Sequence, residues 1–227
     1  MGHVLSKTIL ISQVVEMIAS KYKLSIEEAR NDFYASDIVE MLDDDETGLY
    51  GESALYLFSL YEDFLKNRFV KIVGANYLGE YCVTRKSCRA IVIEKDNILL
   101  VYETKTNTWM IPGGGQEKKE TEKECVIREL AEETGYLVEP IRCSLVINEY
   151  YRDERFVLKY YFSTIKGKTA ISLTDVEKQN GMEPRWIPIK DAISIFSDYQ
   201  KYAETDEMRR GLYLREYSTL TKVLSKR

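Results

Sequence analysis

Between Gly114 and Tyr136 the chain reads GGQEKKETEKECVIRELAEETGY. The spacing predicts a helix from about Thr121 to Thr134, with Pro112-Gly113-Gly114-Gly115 breaking the chain before it and Gly135 stopping it. At about 100° per residue, Glu129, Glu132 and Glu133 fall within an arc of ~100°, while Val126, Ile127, Leu130, Ala131 and Thr134 fill a second arc more than ~130° away. One face packs and the other gathers three carboxylates. Like charges ~5–6 Å apart cost on the order of 3 kcal/mol per pair at an effective dielectric constant of about 20. A divalent cation reverses that sign, and oxygen donors of this kind suit Mg²⁺ or Mn²⁺. The plainer alternative is a solvated acidic face with i, i+4 ion pairs, but such a face requires neither Arg128 beside Glu129 nor glycines at both ends. Arg128 can pair with Glu120 or Glu129 and so hold the carboxylates in position.

The same stretch satisfies G-x5-E-x7-R-E-U-x-E-E-x-G-U, with U apolar, through Gly114, Glu120, Arg128, Glu129, Leu130, Glu132, Glu133, Gly135 and, loosely, Tyr136. Here the chain resembles the Nudix hydrolases, over residues from about 80 to at least 190. Two departures are Tyr136 at an aliphatic place and Lys119 where many members carry glycine; neither removes a charged group that the chemistry needs. The resemblance implies an α/β fold, a Nudix α/β/α sandwich with a mixed sheet. It implies Mg²⁺-dependent hydrolysis of a nucleoside diphosphate linked to another moiety, giving a nucleoside monophosphate and the phosphorylated remainder. It also implies a metal held by the carbonyl of Gly114 and by Glu129, Glu132 and Glu133, with Arg128 and Glu120 beside it; which carboxylate is the general base varies among members, and motif position favours Glu129. A further ligand often comes from outside the motif, and Glu177 or Glu183 could supply it, or both could be plain loop charges. Members that cleave ADP-ribose carry a proline a short way past the motif, where this chain has Arg152, and the SQPWPF of NADH-cleaving members is absent. A nucleoside triphosphate or a similar small nucleotide is favoured by elimination. A nucleotide-sensing regulator that binds without cleaving is the alternative, although a sensor has no need of all three carboxylates.

Outward from the motif, alternating and short apolar runs predict strands at Arg89 to Ile93 and Ile98 to Tyr102, joined by a turn at Lys95-Asp96-Asn97, and further strands at Phe156 to Thr164 and Arg185 to Ile187. Helices follow near Asp191 to Phe196 and Glu207 to Leu224. Before Gly74 the pattern is helical. Ile11, Val14, Val15, Ile18 and Ala19 recur at helical spacing, Ser25-x-x-Glu28 is a capping box, and Ser36 to Leu42 suits a short helix. A fourth helix carries Leu55, Leu57, Phe58, Tyr61 and Leu65 on its apolar side. The acidic run Asp43 to Glu46 between them reads as a solvated loop. The expected division is therefore a small all-α domain over 1–75, of unknown function, and a hydrolase domain over 76–227.

Composition removes several classes of function. The 37 acids and 32 bases of the 227 residues leave a net charge of −5 at pH 7, which disfavours duplex nucleic acid. Ser36 to Leu42 would enter a groove with two acids and no base, which disfavours DNA reading. The single histidine is His3, so a histidine-based triad or metal site in the folded body is excluded. No apolar run approaches the ~18 residues of a membrane span. Four cysteines without C-x-x-C spacing read as reduced thiols in a cytoplasmic protein. Met1-Gly2-x-x-x-Ser6 formally fits a myristoylation pattern of low specificity. The expected partner is a small nucleotide, with no membrane and no duplex nucleic acid, and a homodimer is left open. Trp109, Tyr150, Tyr151, Tyr160 and Tyr161 could stack a base, though strand aromatics usually belong to a core. Arg152 and Arg155 could meet a terminal phosphate.

Overall fold

The computed structural model describes residues 4–34 and 36–224, so His3 and the N-terminal glycine lie outside the described residues. The chain forms two compact units, Met1–Arg68 and Phe69–Arg227. The first holds α1 (Val4–Tyr22), α2 (Ile26–Tyr34), α3 (Asp37–Asp43) and α4 (Ala54–Arg68), with short 3₁₀ turns at Asp45–Thr47 and Leu49–Gly51. Ser25 opens α2 as expected, its backbone N–H donating to Glu28 while its hydroxyl accepts from the Glu28 N–H. Val14, Val15 and Ile18 of α1 bury against Phe33 of α2 and Leu57 and Tyr61 of α4. Leu55, expected on the apolar side of α4, is exposed; Phe64 is buried with Leu57, Phe58 and Tyr61. The acidic run carries an ion pair between Lys7 and Asp45 at 2.7 Å.

The second unit runs β1 (Phe69–Val73), β2 (Val83–Ile91), β3 (Ile93–Glu94), β4 (Asn97–Glu103), β5 (Thr108–Met110), β6 (Gly113–Gly115), α5 (Glu122–Thr134), β7 (Tyr136–Tyr151), β8 (Glu154–Lys168), α6 (Asp175–Asn180), β9 (Met182–Pro188), α7 (Ile189–Ser197) and α8 (Glu207–Leu224). One mixed sheet has the order β1-β7-β8-β2-β6, with β1/β7 and β8/β2 parallel and the other pairs antiparallel. In the second sheet β4 pairs antiparallel with β3, β5 and β9.

Strand alternation sorts the core into two faces. Cys88 and Ala90 of β2 and Val146 of β7 pack with Cys125, Val126 and Leu130 of α5. Ile91, Ile147 and Tyr160 point the other way, against Phe196 of α7 and Tyr213 and Leu220 of α8. The result is an α/β/α sandwich with α5 on one side and α7 and α8 on the other, as expected. Ile127, placed on the packing arc of α5 from the sequence, is exposed. Glu177, expected in a loop, lies in α6, where Thr174 and Glu177 form a capping box.

The division between the units falls at Arg68/Phe69, ahead of the residue-75 boundary expected from the change in pattern. The reason is β1, which lies parallel to β7 from Phe69↔Val146 to Val73↔Tyr150 and buries Ile72 to 5% exposure. A fragment of residues 69–227 should therefore unfold in urea at a higher midpoint than one of residues 76–227. The shorter fragment loses the β1 ladder and the burial of Ile72, at a cost of about 2 kcal/mol or more. Equal midpoints would remove β1 from the stabilising part of the fold.

Candidate active site

Helix α5 is built to hold its position. Thr121 and Glu124 close a capping box at its start, and Gly135 ends it at φ 70°. Glu129 and Glu133 are buried at 9% and 4% exposure, so two of the three carboxylates are withdrawn from solvent while the Glu132 side chain stays half-exposed. Buried carboxylates require compensation, and three groups supply it. The Glu133 Oε2 accepts from the Gly113 N–H at 2.8 Å. The Glu129 Oε1 accepts from Arg128 Nη1 at 2.8 Å. Burial raises the pKa of both, and the guanidinium of Arg89, opposite Gly113 across the β2/β6 ladder, offsets part of that rise.

Glycine is required twice beneath this face. Gly113 has φ 135°, and a Cβ there would run into the backbone of Cys88 and Arg89. A Cβ at Gly114 would overlap the Glu129 carboxylate. The carbonyl of Gly114 also lies 3.7 Å from the Cys125 Sγ at the root of α5.

Arg128 ties the cluster together. Its Nε and Nη2 donate to the two oxygens of Glu120 at 2.7 and 3.0 Å, its Nη1 to Glu129 and to Glu132 at 3.1 Å, and its Nη2 also to the Gly115 carbonyl at 3.0 Å. The sequence left Glu120 and Glu129 as alternative partners; the guanidinium takes both. The Arg128 bonds hold the Glu120 carboxyl down at about 2. Burial pushes Glu129 up, and it pushes Glu133 up to about 8.

The oxygens of Gly114, Glu129, Glu132 and Glu133 are the hard donors that a magnesium-sized ion prefers. The residue without a side chain at Gly114 leaves room for the Glu129 carboxylate. As they stand the carboxylates turn to Arg128 and Gly113, and among the described residues no three acidic, cysteine or histidine side chains converge on one point.

The other sequence-expected residues are more scattered. Glu177 is near enough to raise the pKa of Glu133, although its carboxylate accepts from the Thr174 N–H. Glu183 pairs with Arg185, whose guanidinium lies 4.2 Å from the Tyr102 ring centroid and 5.5 Å from that of Trp109. Trp109 and Tyr102 are themselves 4.4 Å apart, a half-exposed aromatic pair on β5 and β4. Arg152 occupies the exposed turn between β7 and β8 at φ 50°, and Arg155 bonds Asn148 and Tyr81 rather than the carboxylates. Tyr151, Tyr160 and Tyr161 are buried, and Tyr150 stands beside Tyr77 and Tyr81. Arg89 was missed as a site residue, because in the sequence it reads only as the first residue of the strand expected at Arg89 to Ile93.

A model of the NUDIX domain matches residues 83–208, more than half of the 227. The chain belongs to the Nudix family. As a Nudix hydrolase it is similar to a Bacillus subtilis (strain 168) protein, YjhB, whose name assigns it provisionally to the ADP-ribose pyrophosphatases. The two are 26% identical over 150 residues, which are 61% of this chain and 71% of that one. Among solved structures it is similar to an ADP-ribose pyrophosphatase from Streptococcus suis (17% identity, TM-score 0.40, 63% of this chain and 92% of that one). A Nudix hydrolase from Nitrosomonas europaea matches at 18% identity and TM-score 0.43, over 60% of this chain and 89% of that one. A UDP-X diphosphatase matches at 16% identity and TM-score 0.45, over 85% and 94%.

The burial of Glu133 has a measurable sign. Its folded pKa lies above the ordinary 4.5, so the stability it contributes is present below that value and is lost as pH rises toward about 8. In chelator, the melting temperature of the wild type should fall over that window more steeply than that of Glu133→Gln. Parallel pH profiles would remove Glu133 as the source. Glu120 has the opposite sign: its contribution is present above 4.5 and is lost as pH falls toward about 2.

Proposed function

We propose that this Nudix hydrolase cleaves the phosphoanhydride of a nucleoside diphosphate linked to another moiety, a nucleoside triphosphate among the candidates, with Mg²⁺ or Mn²⁺ as cofactor. The observation that carries the reading is the buried pair Glu129 and Glu133 on α5, set over the Gly113-Gly114 backbone and bound to Arg128 and the Gly113 N–H. The Gly114 carbonyl and the carboxylates of Glu129, Glu132 and Glu133 would hold the cation. Bound there, it would withdraw electron density from the anhydride and acidify a water.

The chain's own residues do the rest. Glu129 takes the proton of the attacking water on Oε2, because its Oε1 accepts from Arg128. Its burial raises its pKa above the ordinary carboxylate value, which makes it a stronger base than an exposed glutamate. Arg128 orients Glu129 and Glu132 from the far side and is itself fixed by Glu120. Glu177, on the capped helix α6, adds negative charge beside Glu133. The half-exposed Tyr102 and Trp109 rings, with Arg185 over them, offer a stacking surface. The name of the B. subtilis relative puts ADP-ribose beside the nucleoside triphosphates among the substrates to be tried first.

A hydrolysis screen over nucleoside triphosphates, nucleotide sugars, ADP-ribose and dinucleoside polyphosphates, with and without Mg²⁺, tests the reading directly; no metal-dependent turnover on any of them would overturn it. Glu132→Gln should keep the fold, since that side chain is 41% exposed and outside the packed face, yet lower turnover by several orders of magnitude. Mg²⁺ should raise the melting temperature of the wild type by mass action and leave a Glu129, Glu132, Glu133 triple glutamine variant unmoved. An equal shift in both proteins would place the ion elsewhere.

A further inference from the structure

On the α5 side of the mixed sheet, beside the first turn of that helix, a cavity of about 210 Å³ is lined by residues of β2 and β8, by Gln116 and by Glu122. Its charged side chains are Lys86 of β2, Arg155 and Lys159 of β8, and Glu122 of α5. Register brings them together: Thr84 pairs with Arg155, Lys86 with Val157 and Cys88 with Lys159 across the parallel β2/β8 ladder, so these side chains share one face of the sheet. Cys88 packs with Cys125 and Val126, which makes this the face that α5 covers. Cys88 also pairs with Gly114, and the Gln116 N–H donates to the Lys86 carbonyl at 3.0 Å, so the cavity adjoins the glycine segment. It is nonetheless apart from the carboxylate cluster, because Glu129 lies ~10 Å beyond Glu122 along the helix.

The charges in this cavity do not cancel. Glu122 is taken up within the wall itself, its Oε1 by the Lys159 ammonium and its Oε2 by the Tyr161 hydroxyl at 2.5 Å. Arg155 donates to neutral partners, the Asn148 Oδ1 at 2.9 Å and the Tyr81 hydroxyl at 3.3 Å. Lys86 pairs with no carboxylate among the described residues. Three cations against one carboxylate leave an excess of two positive charges, in a chain whose net charge is −5.

That excess selects the ligand. A cation is repelled, and a divalent metal finds a single carboxylate already bound on both oxygens. Val157 and Cys88 offer too little apolar wall for an uncharged hydrophobic ligand. A phosphomonoester carries about −1.5 to −2 at neutral pH, which matches the excess. Guanidinium and ammonium groups are its usual donors, and the Thr84 hydroxyl adds a neutral one. The cavity is smaller than the ~300–1,000 Å³ of sites that enclose drug-sized molecules, so it suits a phosphate group with little attached to it. We propose that this cavity binds phosphate, as a small phosphomonoester or as the free ion, at a site separate from the α5 carboxylates.

Calorimetric titration of the full chain in chelator, with inorganic phosphate, ribose 5-phosphate and ribose, tests this without metal or turnover. Inorganic phosphate or ribose 5-phosphate should bind one to one with a Kd of about 1 mM or tighter, and ribose should not. The tighter of the two phosphates names the source. Neither binding at that strength, or ribose binding as well as its phosphate, overturns the proposal. A Lys86→Glu, Arg155→Gln double variant should bind at least about tenfold more weakly; a folded variant that binds as the wild type does overturns the proposal, and Lys86→Glu alone, at an exposed position, carries the same test if the double variant does not fold. A folded Glu129, Glu132, Glu133 triple glutamine variant should bind phosphate at least as well as the wild type. Loss of binding there would place the anion at the α5 cluster and overturn the separate site. None of these outcomes depends on hydrolysis, so failure of the pyrophosphohydrolase reading would leave them unchanged.

Discussion

The constraint on which this structure depends is the burial of two carboxylates, Glu129 and Glu133, on one helix. Their charge cannot be left uncompensated in a low-dielectric interior. The Gly113 N–H, the Arg128 guanidinium and the field of Arg89 each answer part of that demand. The glycines at 113 and 114 follow from it, because a side chain at either would strike the sheet or Glu129 itself. So does the double capping of α5, since a frayed helix could not keep the carboxylates in register with β6. What remains uncompensated is the tendency to take up a proton or a cation, and that tendency is the basis of the proposed chemistry.

A second set of buried charges lies on the other side of the sheet. Arg215 of α8 pairs with Glu149 of β7 and with its neighbour Glu216, which also accepts from the hydroxyl of Tyr160. A buried ion pair is weak support for stability but strong support for register, since removing one member strands the other. It therefore fixes how α8 lies on β7. The charge of Arg89 acts on Glu133 and on Glu149, so one guanidinium offsets part of the burial of a carboxylate in each cluster.

Several elements were legible because the residues that define them are local. The helix at Glu207–Leu224 and the core of α7 follow from apolar spacing, and the Ser25 capping box from a four-residue pattern. Strand β7 was not legible. Its alternation is broken by register shifts at Leu137/Val138, Pro140/Arg142 and Cys143/Leu145, so sixteen strand residues read as irregular. Helix α6 was missed although Thr174-x-x-Glu177 repeats the capping pattern recognised at Ser25, because a six-residue helix has little apolar periodicity of its own. Strand β1 has no local signal strong enough to separate it from the helix that precedes it, and only its pairing with β7 makes it part of the second unit.

The sequence by itself determined the family, the helix that bears the carboxylates, the identity of the charged residues on it and the helical character of the first unit. Each of these is written in spacing along a single segment, where 3.6-residue geometry converts sequence into faces. Only the tertiary structure decided that Glu129 and Glu133 are buried, that Arg128 binds three carboxylates at once, that Arg89 stands opposite Gly113, and that Glu149 is buried against Arg215. Those facts join residues far apart in the chain, and burial and electrostatic coupling depend on what packs across the sheet rather than on any local pattern.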